Sequence, residues 1–115
     1  LAPGKRIMCD EKGEPLHLNA APGGRSGRRK LTLADWDGDG ALDLFLNGKN
    51  AEFWRGLGFS DGKWRFQKIG DVSPRNIEGH DTSPTVVDWN GDKILDLVVG
   101  AEDGKLYYLR NPRTR

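Results

Sequence analysis

Asp35-Trp36-Asp37-Gly38-Asp39-Gly40-Ala41-Leu42-Asp43-Leu44 and Asp88-Trp89-Asn90-Gly91-Asp92-Lys93-Ile94-Leu95-Asp96-Leu97 agree at seven of ten positions with an offset of 53 residues. Internal repetition of this quality marks a repeat architecture. The likeness continues outward on both sides: Leu31-Thr32-Leu33-Ala34 lies over Pro84-Thr85-Val86-Val87, and Leu44-Phe45-Leu46-Asn47 over Leu97-Val98-Val99-Gly100. With two residues gapped in the turn, Glu52-Phe53-Trp54-Arg55 falls over Tyr107-Tyr108-Leu109-Arg110. Each unit thus reads as a short apolar strand, an acidic loop, a second apolar strand, a Gly/Asn/Asp turn and an aromatic third strand.

In the second unit the turn is Glu102-Asp103-Gly104, where Asp-Gly supplies the positive φ angles of a tight hairpin. Lys63 to Ile69 alternates polar and apolar residues, as a half-buried outer strand does. These elements predict four-stranded antiparallel meanders, and the period points to all-β propeller blades. Residues 30–82 form a first blade and residues 83–115 an incomplete second one. Residues 1–29 read as a hairpin around Asp10-Glu11-Lys12-Gly13, the outer part of a preceding blade. The expectation is about two and a half blades, whereas closed propellers carry roughly four to eight. The chain is therefore expected to be a partial propeller, completed by the rest of a longer protein or by a ring of copies. A start at Leu1, without Met or a leader, suits a mature or truncated piece and leaves its destination open.

Composition agrees with this reading. Sixteen glycines and six prolines in 115 residues interrupt almost every long window, which disfavours helices. The longest apolar runs, such as Leu95 to Ala101, are far short of the ~20 residues a spanning helix needs. The net charge of +1 conceals an uneven distribution, since seven of the 17 acids lie in the two loops and the remainder is basic by seven. The densest basic cluster, Arg25, Arg28, Arg29 and Lys30, lacks interleaved aromatics, so it reads as a solvated loop and nucleic acid is not expected as a partner. Cys9 is the only cysteine, which excludes an intrachain disulfide, and nothing in its neighbourhood marks it as a nucleophile.

Asp35, Asp37, Asp39 and Asp43 stand at positions 1, 3, 5 and 9 of the first loop, with glycines at 4 and 6. Alternate carboxylates converge when such a loop curls, and the carbonyl at position 7, Ala41, can add a donor. An all-oxygen set of this kind suits Ca²⁺ better than Mg²⁺, which demands a tighter octahedron. The loop begins like an EF-hand, but position 12 is Leu46 and strands replace the helices, so Asp43 takes the closing role. The second loop offers Asp88, Asn90, Asp92, the Ile94 carbonyl and Asp96. It carries one charge fewer, and Lys93 replaces the glycine at position 6, so weaker binding is expected there.

These two segments resemble the FG-GAP/VCBS repeats, Ca²⁺-binding propeller blades, and the likeness covers most of residues 30 to 111. The resemblance implies metal ligation by Asp35, Asp37, Asp39 and Asp43, and by Asp88, Asn90, Asp92 and Asp96. It also implies an extracellular or periplasmic setting and a non-catalytic binding or scaffolding role toward polysaccharide or cell-surface protein. Polysaccharide lyases of the rhamnogalacturonan type and integrin-like adhesion propellers carry such repeats as well, so an enzyme fragment and a protein-adhesion module are the alternatives.

Other residues point less sharply. Trp36 and Trp89 occupy equivalent places and read as packing between blades. Trp54, Tyr107 and Tyr108, on third strands, are candidates for ligand contact. His80 beside Asp81 reads as a hydrogen-bonding loop because neighbours in sequence point apart, and His17 falls on the exposed face of a strand. No catalytic constellation is recognisable.

Overall fold

In a computed structural model, which describes residues 2–18, 30–48, 50–74 and 82–113, the repeat appears as matched strand pairs. β2 (Leu31–Ala34) runs antiparallel to β3 (Asp43–Leu46) with Ala34 opposite Asp43 and Leu33 opposite Leu44. β6 (Thr82–Val87) and β7 (Asp96–Ala101) pair with Val87 opposite Asp96 and Val86 opposite Leu97, the same register 53 residues on. The third strands obey the gapped alignment. Phe45 faces Phe53 on β4 (Glu52–Ser60), and Val98 faces Tyr108 on β8 (Leu106–Leu109).

Unit one adds a fourth strand, β5 (Lys63–Asp71), antiparallel to β4. The β4–β5 hairpin turns at Asp61-Gly62, both with positive φ (53° and 74°), a conformation Asp tolerates and Gly adopts freely. Both strands reach nine residues, longer than the aromatic and alternating stretches alone suggest. Unit two has three strands among the described residues, in the order β6-β7-β8. The fold is all-β, two consecutive meanders of the propeller-blade type.

In the N-terminal segment Cys9 is bridged to Pro15 and the Leu16 N–H donates to the Met8 carbonyl. β1 (Met8–Cys9) joins the edge of unit one, parallel to β5, with Met8 opposite Trp64. The cause is packing: Met8, Leu16 and Leu18 lie against Leu44, Leu46 and Phe66, a buried apolar face that would otherwise meet water. Cys9 is buried in this edge, and His17 is exposed.

All four residues of β3 are buried, because both faces of unit one are covered. Leu44 and Leu46 point to the N-terminal hairpin, while Phe45, with Ala51 and Phe53, meets Leu97 and Val99 of unit two. Leu97 and Val99 are the counterparts of Leu44 and Leu46, so the units stack head to tail. Full burial of a side chain such as Phe45 contributes about 2–3 kcal/mol. The opposite face of unit two leaves Val87, Trp89, Leu106 and Tyr108 exposed. Among the described residues no helix is long and apolar enough to cross a membrane.

Candidate metal centre

The first acidic loop is shaped by its own carboxylates. Asp35 accepts from the Gly38 N–H at 2.8 Å and from the Gly40 N–H at 3.0 Å, Asp37 from Asp39 N–H at 3.1 Å, and Asp39 from Ala41 N–H at 2.8 Å. Short polar side chains that capture nearby N–H groups curl the backbone this way. Gly38 and Gly40 sit at φ 80° and 90°, a region that favours glycine. The outcome is convergence: one carboxylate oxygen each from Asp35, Asp37 and Asp39 lies within 4.8 Å of the others.

Asp43 stands apart from this trio. It is fully buried at the start of β3, where Oδ2 accepts from the Trp36 N–H at 2.8 Å and Oδ1 from the Gly56 N–H at 2.7 Å. One carboxylate thereby ties the loop to β4. Burial pushes its pKa above the ordinary value of 3.8, helped by the Asp37 charge and opposed by the N–H groups of Gly56 and Trp36. Gly56 must be glycine at this contact, since a Cβ there would fall 1.9 Å from the Leu42 carbonyl oxygen.

The second loop repeats the short-range bonds of the first. Asp88 accepts from Gly91 and Lys93 N–H (both 2.9 Å), Asn90 from Asp92 (3.1 Å) and Asp92 from Ile94 (2.9 Å). Asp96 is buried like Asp43 and accepts from the Asn111 N–H at 2.9 Å, Asn111 being the counterpart of Gly56. Its Oδ2 takes the Tyr108 hydroxyl at 2.9 Å. Partial desolvation of that phenol and its bond to Asp96 raise the Tyr108 pKa. Lys93 adopts φ 67° where the first loop has Gly40, the left-handed conformation expected to strain this position.

Arg55 is a participant that the sequence alone did not single out. From β4 its Nε reaches Asp37 Oδ2 at 3.3 Å and its Nη2 reaches Asp39 Oδ2 at 3.7 Å, so a cation of the chain itself faces the trio. As a half-exposed pair it contributes under about 1 kcal/mol to stability. Its position next to Gly56, two residues beyond the Phe45 partner, would have indicated the contact only with the strand register known.

The donor chemistry of the first loop, three converging carboxylates and no nitrogen or sulfur, fits a hard divalent cation. The second loop, with an amide in place of one carboxylate, offers less charge. Ala41 and Ile94, whose carbonyls are the expected position-7 donors, give their N–H groups to Asp39 and Asp92.

The aromatic candidates separate. Trp36 packs edge-on against Phe45 (centroids 5.1 Å) between the units, whereas its counterpart Trp89 is 65% exposed and lies 6.3 Å from the ring of Tyr108. Trp54 is half-buried against Leu44 and Phe66, donates Nε1 to Glu52 at 3.2 Å and has Lys68 over its ring. Tyr107 turns toward the core and donates its hydroxyl to Asp103. That bond and the Lys105 N–H hold the Asp103 carboxyl below the usual carboxylate range. The basic residues Arg25, Arg28 and Arg29, and the segment with His80 and Asp81, lie outside the described residues.

Paired acidic loops at the same place in two stacked meanders define a repeat chain with blades of the propeller type. The FG-GAP-like repeat family matches residues 35–99, more than half of the chain, and the chain belongs to that family. No curated protein and no solved structure matches it.

Proposed function

We propose that this chain is a calcium-stabilised repeat module with a non-catalytic binding or scaffolding role, probed first at the loop of unit one. The observation that carries this reading is the convergence of Asp35, Asp37 and Asp39 within 4.8 Å. Asp35, Asp37 and Asp39, with the Ala41 carbonyl, would hold the ion while Asp43 anchors the loop to β4; Asp88, Asn90, Asp92 and the Ile94 carbonyl would form a weaker site anchored by Asp96. A bound cation would relieve repulsion among the carboxylates and fasten β2 to β3, so its binding free energy would add to folding stability. The reading includes an extracellular or periplasmic setting, where roughly 0.1–1 mM affinities suffice for calcium modules. It also includes carbohydrate or cell-surface association, for which the exposed Trp89–Tyr108 pair offers an amphipathic stacking surface.

The test is calorimetric titration with CaCl2 together with thermal melts in Ca²⁺ and in EGTA. Binding at the first loop with a higher melting temperature in Ca²⁺ is expected, and Asp35→Ala should reduce both more than Asp88→Ala. Identical melts with metal verifiably removed would refute the reading. Glycan-array binding lost in Trp89→Ala would support the carbohydrate association.

A further inference from the structure

The second acidic loop has Asn90 where the first has Asp37, and that asparagine is followed by a glycine. An Asn-Gly pair is open to intramolecular attack, because a residue without a Cβ leaves its backbone nitrogen free to approach the preceding side-chain amide. Here the loop holds both partners of such an attack. The Gly91 N–H, the nucleophile, donates to Asp88 Oδ1 at 2.9 Å, and Asn90 Oδ1 accepts from the Asp92 N–H at 3.1 Å, which polarises the amide carbonyl. Asn90 and Gly91 are both exposed, so water reaches them. Among the described residues no atom beyond its chain neighbours lies within 4 Å of the place a Cβ would take on Gly91, which leaves room for a ring to form. The other Asn-Gly pair of the chain, Asn47-Gly48, has the opposite surroundings: Asn47 is buried, and its Oδ1 accepts from the Lys30 N–H at 3.0 Å.

We propose that Asn90 is a self-modification site that deamidates to aspartate and so gives the second loop the carboxylate set of the first. The gain in cation binding rests on the reading of the chain as a calcium-stabilised module; the reaction itself does not. The Gly91 nitrogen bonds to Asn90 Cγ while its proton passes by way of Asp88 to the side-chain nitrogen, which departs as ammonia. A succinimide ring results. Water then adds at Cγ and breaks the new Cγ–N bond, restoring the ordinary peptide linkage and leaving a carboxylate at residue 90. One ammonia is lost and one water taken up, with no oxidation or reduction. The loop already suits the product, since Asp37 accepts from the Asp39 N–H at the same 3.1 Å as Asn90 from Asp92. The second loop thereby gains one negative charge, and its affinity for a divalent cation rises as the protein ages.

The test keeps the full chain at neutral pH in EGTA for several weeks and follows residues 47 and 90 by peptide mass spectrometry, with fragmentation that separates aspartate from isoaspartate. Residue 90 is expected to gain about one mass unit about tenfold faster than residue 47, and the preference should vanish in urea, where both pairs have the same surroundings. Equal rates in the folded chain, a preference that persists in urea, or isoaspartate as the sole product would overturn the proposal. Calorimetric titration with CaCl2 then compares fresh protein, aged protein and Asn90→Asp. Second-loop binding about fivefold tighter in the aged protein and in Asn90→Asp alike is expected. Conversion without tightening, while the first loop still binds, would overturn the gain of a ligand. If the first loop binds no Ca²⁺ either, the module reading has failed, and the conversion rates still decide the modification.

Discussion

Lys93→Gly should stabilise the protein, and the structure sets the size of the effect. Lys93 holds φ 67° in a loop whose counterpart uses Gly40 at φ 90°. A left-handed residue with a Cβ costs roughly 1–2 kcal/mol. Glycine removes that cost but brings more unfolded-state freedom, worth about 0.4–1 kcal/mol in the opposite direction. The bond from the residue-93 N–H to Asp88 needs no side chain and survives the change. A net gain of about 0.5–1 kcal/mol follows, which for a domain of this size is a rise in melting temperature of about 2–6 °C. Melts followed by circular dichroism in EGTA isolate this conformational effect. Repetition in Ca²⁺ should enlarge the gain, because a positive charge is removed from within the second acidic loop. The reverse change, Gly40→Lys, should lower the melting temperature in EGTA by a comparable amount. A Lys93→Gly protein that melts at or below the parent in EGTA would refute the reasoning, by showing that the lysine side chain contributes more than its backbone strain costs.

Gly56→Ala should unfold the protein or cost more than about 2 kcal/mol, because its Cβ would overlap the Leu42 carbonyl; a urea midpoint equal to the parent's would contradict this. Asp43→Ala leaves the N–H groups of Trp36 and Gly56 without their buried acceptor and should cost about 2–4 kcal/mol in the same assay. Since burial raises the Asp43 pKa in the folded state above its unfolded value, the native state binds more proton between the two. Its contribution to stability therefore grows as pH falls through the folded value and levels off below 3.8; Asp43→Asn should flatten that part of a stability profile taken between pH 7 and 3.5. Arg55→Gln removes the cation facing Asp37 and Asp39 and should tighten Ca²⁺ binding about threefold, the equivalent of roughly 0.7 kcal/mol, as read by calorimetry.

The repeat makes much of the fold legible in the sequence. An offset of 53 residues anticipates the registers of β2 with β3 and β6 with β7, and the two-residue gap anticipates Phe53 and Tyr108 as counterparts. In the N-terminal segment, apolar residues such as Met8 and Leu16 state a need for burial without naming the surface that supplies it. The two tryptophans show the same limit. Trp36 and Trp89 are identical in motif and opposite in exposure, because what covers a repeat's face is the neighbouring unit. At the acidic loops, spacing identifies the carboxylates but cannot divide them by role. Asp35, Asp37 and Asp39 converge on one point, whereas Asp43 and Asp96, each the first residue of an apolar strand, are buried acceptors for backbone N–H groups of the third-strand segment.

Asn111 has a bearing on how the molecule unfolds. Its side-chain amide donates to the Trp36 carbonyl at 2.9 Å and to the Leu95 carbonyl at 3.0 Å, so one residue near the end of unit two grips both acidic loops. In a linear array, coupling between neighbours decides whether units melt singly or together. Here one NH2 group of the segment that leaves the third strand of unit two bonds at once to the loop of unit one and to the loop of its own unit. This bond adds to the apolar contact of Phe45 with Leu97 and Val99 in coupling the two meanders, and Asn111→Ala should lower the melting temperature of a transition that stays single.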